Sequence, residues 1–284
     1  MVCLSVGVMV GITWQNTGHN NWISVAKPDD HFLVQVNTKA SKLYHNFAEA
    51  CAYNVKMLQQ DWDKPFYLML SGGLDSELVA KALYDNNIPF TPIIVNFGDL
   101  NYHERWFAHY WCDMHNIKPI TIVMSPDEMF SEIFSKYMKE LPRHSDQYGS
   151  LITLYIADYI ERLGGVCLTG LTDPSWEIET QLIYHNYVDF PLDIMRPGKH
   201  PTGFFMYSPE IALSYAYQID CSSNEQYNKI RFYQVSPRFK YNYAYKLGDY
   251  VPCLNNIIKS HVKNMKPSVR FEYGSKEDFI HLLS

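Results

Sequence analysis

The chain has 284 residues, of which 47% are apolar and 19% are Asp, Glu, Lys or Arg, enough to bury a core and too apolar for an intrinsically disordered chain. Lys and Arg total 24 against 30 Asp and Glu, a formal net charge of −6, which argues against a protein whose main task is gripping a nucleic-acid backbone. No run of about eighteen apolar residues predicts a membrane span, and the scattered Cys3, Cys51, Cys112, Cys167, Cys221 and Cys253 contain no C-x-x-C pair, which is expected of free thiols in a reducing, cytoplasmic setting.

The apolar opening at 1–12 lacks the positive flank and cleavage site of a secretory signal and is expected to be a strand. Strands are predicted at 6–14, 22–25 and 32–36, separated by turns at 17–21 and at Pro28-Asp29-Asp30. Thr38 is expected to cap a helix over 39–60, with Leu43, Phe47, Ala50, Cys51, Val55 and Leu58 on one stripe. The continuous apolar run 66–70 then reads as a strand covered on both faces. A helix over 76–84 follows, then a strand at 91–97, a helix from Asn101 to His115, and a strand at 117–124. Ser125-Pro126-Asp127-Glu128 has the form of a capping box that opens a further helix. A helix at 149–163 and a strand at 166–169 complete the alternation, which implies a parallel, doubly wound α/β sheet. Beyond Pro174 the period blurs, with helices expected at 208–218 and 254–264.

The chemistry is concentrated in Ser71-Gly72-Gly73-Leu74-Asp75-Ser76, between the buried strand and its helix. Consecutive glycines let backbone N–H groups approach an anion, and the helix N-terminus aims its unpaired N–H groups at the same point. Ser71 and Ser76 add hydroxyl donors. A carboxylate at Asp75 beside phosphate requires an intervening cation, which implies Mg²⁺. The lysine of a Walker loop is missing. The competing reading is an ordinary Gly-Gly turn capped by Ser76.

This hexapeptide resembles the pyrophosphate loop of the N-type ATP pyrophosphatases, the PP-loop superfamily. The stretch from Ala48 to Asp173 is similar to the synthetase domain of asparagine synthetase. The likeness takes in the helix before the loop, the loop with Leu70, the strand and glycine turn at Val95-Asn96-Phe97-Gly98, the elements of 102–139, and Cys167-Leu168-Thr169-Gly170. The resemblance implies three segments: N-terminal strands and a helix at 1–61, an ATP-binding core at 62–175, and a largely helical extension at 176–284 that closes the substrate site. It implies ATP and Mg²⁺ as cofactors, with Asp75 and Ser76 catalytic. Leu70, Ser71, Gly72, Gly73, Asp75, Ser76, Val95, Asn96, Phe97, Thr169 and Gly170 would hold the nucleotide, and Asp75 and Asp173 the metal.

The implied reaction is ATP-dependent adenylation of a small carboxylate, followed by amide formation with release of AMP and pyrophosphate. Two departures stand out. Asparagine synthetases carry S-G-E-G-A-D-E where this chain has Leu171-Thr172-Asp173-Pro174 after its glycine, which leaves Asp173 between a metal ligand and an Asp-Pro turn residue. Position 2 is Val2, with Cys3 one place away from the expected glutaminase nucleophile, so ammonia would come from solution or from a partner. The alternatives are a nucleotide-binding protein without turnover, or a tRNA-modifying or nucleobase-modifying enzyme. The net charge and the lack of a cysteine pair argue against the nucleic-acid reading.

Weaker signals remain. His103, His109 and His115 recur every six residues, so a helix scatters them around its surface. Arg143 and Gln147 precede a helix near the ligand edge of the sheet. The Tyr-interleaved basic stretch at 229–246, beginning Lys229-Ile230-Arg231, is suited either to phosphates or to a half-buried surface. Charge that develops on the α-phosphate calls for a cation, with Lys199, Arg238 and Lys240 as candidates.

Overall fold

The computed structural model describes residues 12–26, 33–125, 134–137, 148–186, 190–235 and 270–284. Outside them lie residues 6–11 of the strand expected at 6–14, the Pro28 turn, residues 126–128 of the capping box, and Cys3 and Cys253. Arg143, Gln147, Arg238, Lys240 and the helix expected at 254–264 also lie outside.

From the N-terminus, β1 (Gln15–Thr17), β2 (Ile23–Ala26) and β3 (Leu33–Val36) pair antiparallel in that order, followed by α1 (Phe47–Asp61). The next segment comprises β4 (Phe66–Met69), α2 (Leu74–Asp85), β5 (Phe90–Asn96), α3 (Tyr102–Met114), β6 (Ile120–Val123), α4 (Phe134–Tyr137), α5 (Tyr148–Arg162) and β7 (Val166–Leu168). The remainder supplies β8 (Ser175–Trp176), β9 (Ile183–Asn186), α6 (Pro191–Met195), α7 (Pro209–Gln218), α8 (Glu225–Tyr233), β10 (Arg270–Gly274) and α9 (Lys276–Leu283). Among the described residues, no helix is long and apolar enough to cross a membrane.

The expected α/β architecture is present as a parallel four-stranded sheet, ordered β6-β5-β4-β7. Its continuous apolar strands follow from burial on both faces. Leu68, Ile94 and Val166 point into a core shared with α1 and α2, while Ile93 and Cys167 point into a second core built on Leu154, Ala157 and Ile160 of α5. All the strand-to-helix turns therefore open at one edge of the sheet, where α/β folds bind ligands.

The strand expected at 6–14 is not a strand over 12–14, and β1 lies just after it at Gln15–Thr17. Two helix starts also differ from the sequence reading by two residues or more. The helix expected from residue 39 begins only at Phe47, because Asn46, not Thr38, supplies the cap by accepting from the Ala48 N–H at 2.9 Å. Residues 39–46 stay out of the helix because α7 takes their polar groups. Ser41 N–H and Oγ donate to Glu210, at 3.0 and 2.8 Å, and Tyr44 N–H donates to Ser214 Oγ at 3.1 Å. The helix after the glycines begins two residues early, at Leu74, because Gly73 in extended conformation is its N-cap. Cys51, Cys112, Cys167 and Cys221 are free and buried.

The second half of the chain folds back on the first. Asn54 of α1 donates to the Phe204 carbonyl at 2.9 Å. Phe47, Phe205 and Tyr233 stack, with interplanar angles of 8°, 11° and 18° and centroids 5.7 to 6.5 Å apart. Such offset aromatic packing buries large apolar area with a defined geometry, and here it fixes α8 above the end of β4.

Candidate active site

The loop after β4 is shaped by contacts within its own six residues. Ser71 Oγ accepts the Gly73 N–H at 3.2 Å and lies 3.0 Å from Ser76 Oγ, which donates to the Gly73 carbonyl at 3.1 Å. Gly72 has φ +90°, and a Cβ there would lie 1.9 Å from the Glu104 carbonyl oxygen at the start of α3, so only glycine fits. Leu74, Asp75 and Ser76 occupy the first turn of α2, where N–H groups have no intrahelical partner and the helix dipole is positive. The arrangement can receive an anion.

A second turn, at Thr169–Pro174 after β7, presses against the first. A Cβ on Gly170 would lie 2.8 Å from the Asp75 backbone carbon and from the Ser76 nitrogen, so glycine is what permits the approach. This brings Asp75 and Asp173 together on one cation, Lys229 of α8. The ammonium lies 3.1 Å from Asp75 Oδ1, pairs with Asp173 Oδ2, and reaches Glu225 Oε1 at 2.7 Å. Tyr233, one turn along α8, donates its hydroxyl to Asp75 Oδ1 at 2.7 Å.

Electrostatics follow from burial. The Lys229 side chain is 6% exposed; burial opposes its charge, but Asp173 and Asp75 hold the ammonium well above the usual lysine range. Burial pushes Asp173 up to about 7, against the pull of Lys229. Burial, reinforced by Asp75, keeps the Tyr233 phenol protonated as a donor.

The two carboxylates suit Mg²⁺, which takes one or two protein carboxylates and completes its shell with phosphate oxygens and water. The observation behind this fit is that both already converge on a single positive charge. Among the described residues, no cluster of three or more His, Cys, Asp or Glu side chains forms a self-contained metal cage.

Other sequence-derived candidates fall as follows. Leu70 is 1% exposed and its side chain belongs to the core, so only its backbone adjoins the loop; its N–H donates to the Ile93 carbonyl at 2.9 Å. Asn101 fixes the turn after β5. Its Nδ2 donates to the Val95 carbonyl at 2.8 Å and its Oδ1 accepts the Phe97 N–H at 2.9 Å, while Asn96 Oδ1 accepts the Gly98 N–H at 2.8 Å. Thr169 is buried, and its carbonyl accepts the Phe204 N–H. Lys199 pairs with Glu161 at 2.9 Å near the end of α5, by the amino end of β7 and so at the edge of the sheet away from the loop. His109 is half-buried, and His115 stacks on Trp111 with its Nδ1 2.8 Å from that residue's carbonyl. Lys229 and Tyr233 lie in the basic, Tyr-interleaved stretch that the sequence marked for phosphates or a half-buried surface, but neither was named as a site residue. The signal for Lys229 was its place at the head of a basic, aromatic-rich stretch.

Among solved structures, the chain is similar to an NMN synthetase from Francisella tularensis at 21% identity and TM-score 0.34, covering 43% of this chain and 52% of that one. The chain thus spans about half of that synthetase. An NH3-dependent NAD synthetase from Campylobacter jejuni shows 14% identity and TM-score 0.36 over 76% of this chain and 93% of its own. A tRNA thiolase from Methanococcus maripaludis shows 14% identity and TM-score 0.38 over 81% and 90%. No curated protein matches the chain. Residues 51–171 match the family model described as asparagine synthase, a segment that contains β4, the Ser71–Ser76 loop and β7, so the chain carries a domain of the PP-loop ATP pyrophosphatase superfamily.

Proposed function

We propose that the chain is an ATP-dependent ligase that activates a small carboxylate as its adenylate and passes it to ammonia or an amine. The observation that carries this reading is the convergence of Asp75 and Asp173, from the ends of neighbouring parallel strands, on one cation at the mouth of an anion-receiving loop. The β- and γ-phosphates of ATP would lie against the N–H groups of the Ser71–Ser76 loop. Adenine would lie by Val95-Asn96-Phe97, in a turn whose shape Asn101 holds. Asp75 and Asp173 would hold Mg²⁺, which neutralises phosphate charge when bound.

A substrate carboxylate oxygen forms a bond to the α-phosphorus as the bond to the bridging oxygen breaks, and pyrophosphate leaves with that electron pair. The amine nitrogen then bonds to the acyl carbon, AMP departs, and the surplus proton passes to water. Once Mg²⁺ takes the two carboxylates, Lys229 would be released to face the charge developing at the α-phosphate, alongside the other candidates Arg238 and Lys240. The chain's contribution is positioning and preorganised charge. Ammonia would come from solution or a partner protein.

The test is exchange of labelled pyrophosphate into ATP in the presence of candidate acids. Exchange is expected with the wild type and is expected to fall by about 10³-fold in Asp75→Ala. Undiminished exchange in that variant would sink the proposal. A second reading, nucleotide binding without turnover, is favoured by one observation: Lys229 already neutralises both carboxylates. It expects ATP binding by calorimetry with no pyrophosphate release from any acid.

A further inference from the structure

Thr172 is 1% exposed, β-branched, and held at φ +71°, a backbone state such residues adopt only where their surroundings impose it. One source of that constraint is His185 of β9, which is fully buried, with its Nε2 2.9 Å from the Thr172 carbonyl oxygen and its Nδ1 2.7 Å from the Tyr273 hydroxyl. A carbonyl only accepts, so Nε2 carries the proton and donates it to Thr172. Nδ1 is then an acceptor, and the Tyr273 hydroxyl donates to it. Tyr273 is itself fixed. It lies in β10, which pairs with β9, and its ring packs 4.5 Å from Phe279 of α9.

We propose that His185, oriented by Tyr273, is a positioning residue for the Asp173 arm of the site. It holds the Thr172 carbonyl, and so aims the following carboxylate at the cation seat shared with Asp75. This rests on the nucleotide-site reading above. The peptide between Thr172 and Asp173 is the one whose rotation would swing that carboxylate away. Pro174 biases Asp173 towards extended backbone from the other side, and the His185 bond to the Thr172 carbonyl restrains the peptide that precedes it. The last strand and helix of the chain thereby reach the nucleotide site through two side chains.

Two measurements on the full-length protein decide the matter. Nitrogen-15 NMR of the His185 ring, without ligand, is expected to show a neutral imidazole with its proton on Nε2. A proton on Nδ1 would overturn the proposal. Mn²⁺ affinity in the presence of ATP, followed by electron paramagnetic resonance, is expected to fall about 10- to 100-fold in His185→Leu. A smaller loss is expected in His185→Gln, which keeps a donor for the carbonyl, and in Tyr273→Phe, which is the variant least prone to misfolding. Affinity equal to wild type in folded Tyr273→Phe and His185→Gln, with Asp173→Asn impaired, would overturn it. If Asp75→Ala leaves Mn²⁺ and ATP binding intact, the ligase reading falls instead, and the ring proton still reports whether His185 holds Thr172.

Discussion

The two turns that meet at the site are built by opposite means. The backbone of the Ser71–Ser76 loop is held from within, its serine hydroxyls bonding inside the loop and its helix starting on its own glycine. Its Asp75 carboxylate is tied to distant groups, Lys229 and Tyr233. The Thr169–Pro174 turn is shaped by distant groups: the Phe204 N–H on Thr169, the His185 ring on Thr172, and Lys229 on Asp173. The first is a local motif and the second a tertiary assembly. A turn able to receive an anion can thus be built from six residues, whereas the second carboxylate facing it, Asp173, depends on the rest of the fold.

The largest effect that would break this contrast is expected at Gly72. Gly72→Ala meets both a positive φ and the Glu104 carbonyl at 1.9 Å, so α3 or the loop must shift. A loss of about 4 kcal/mol or more in denaturant unfolding is expected. A near-neutral result would show that the loop is looser than its bonds imply.

Next in size is Lys229→Met. Removing the ammonium leaves Asp75 and Asp173 facing each other without compensation, a change that costs about 3–5 kcal/mol for a buried pair and less here, where Asp75 is 29% exposed. Lys229→Met with Asp173→Asn should recover part of that loss. Additive effects in the double-mutant cycle would show that the two side chains are not coupled.

The smallest effect concerns pH. Burial holds His185 near 4 in the folded state, against an ordinary value of 6.5. In the window between them the unfolded chain binds the extra proton, so this group's contribution is present above about 6.5 and is lost as pH falls towards 4. Thermal melts of wild type and His185→Gln should therefore converge as pH drops through this range. A constant gap would mean that His185 is not held neutral.

The alternation of apolar runs and glycine turns made the parallel sheet and the helix after Gly73 legible in the sequence, and the scattered spacing did the same for the free thiols of Cys51, Cys112, Cys167 and Cys221. The errors came where side chains from afar took over local chemistry. Thr38 looked like a cap, but Glu210 and Ser214 bond Ser41 and Tyr44 outside the helix and Asn46 starts it. The two-residue β8 and the polar β9, Ile183-Tyr184-His185-Asn186, carry too little pattern to announce a strand. Lys199 was a reasonable cation by composition, yet it lies beside Glu161 at the wrong edge of the sheet.

What the residues alone determined was the turn after β4, because its glycines, hydroxyls and helix start lie within six residues of one another. What only folding decided was the charge facing that turn. Lys229 is 154 positions from Asp75 and 56 from Asp173. Separations of that length carry no periodic signal, and they are closed only when the Phe47–Phe205–Tyr233 stack brings α8 down onto the end of the sheet.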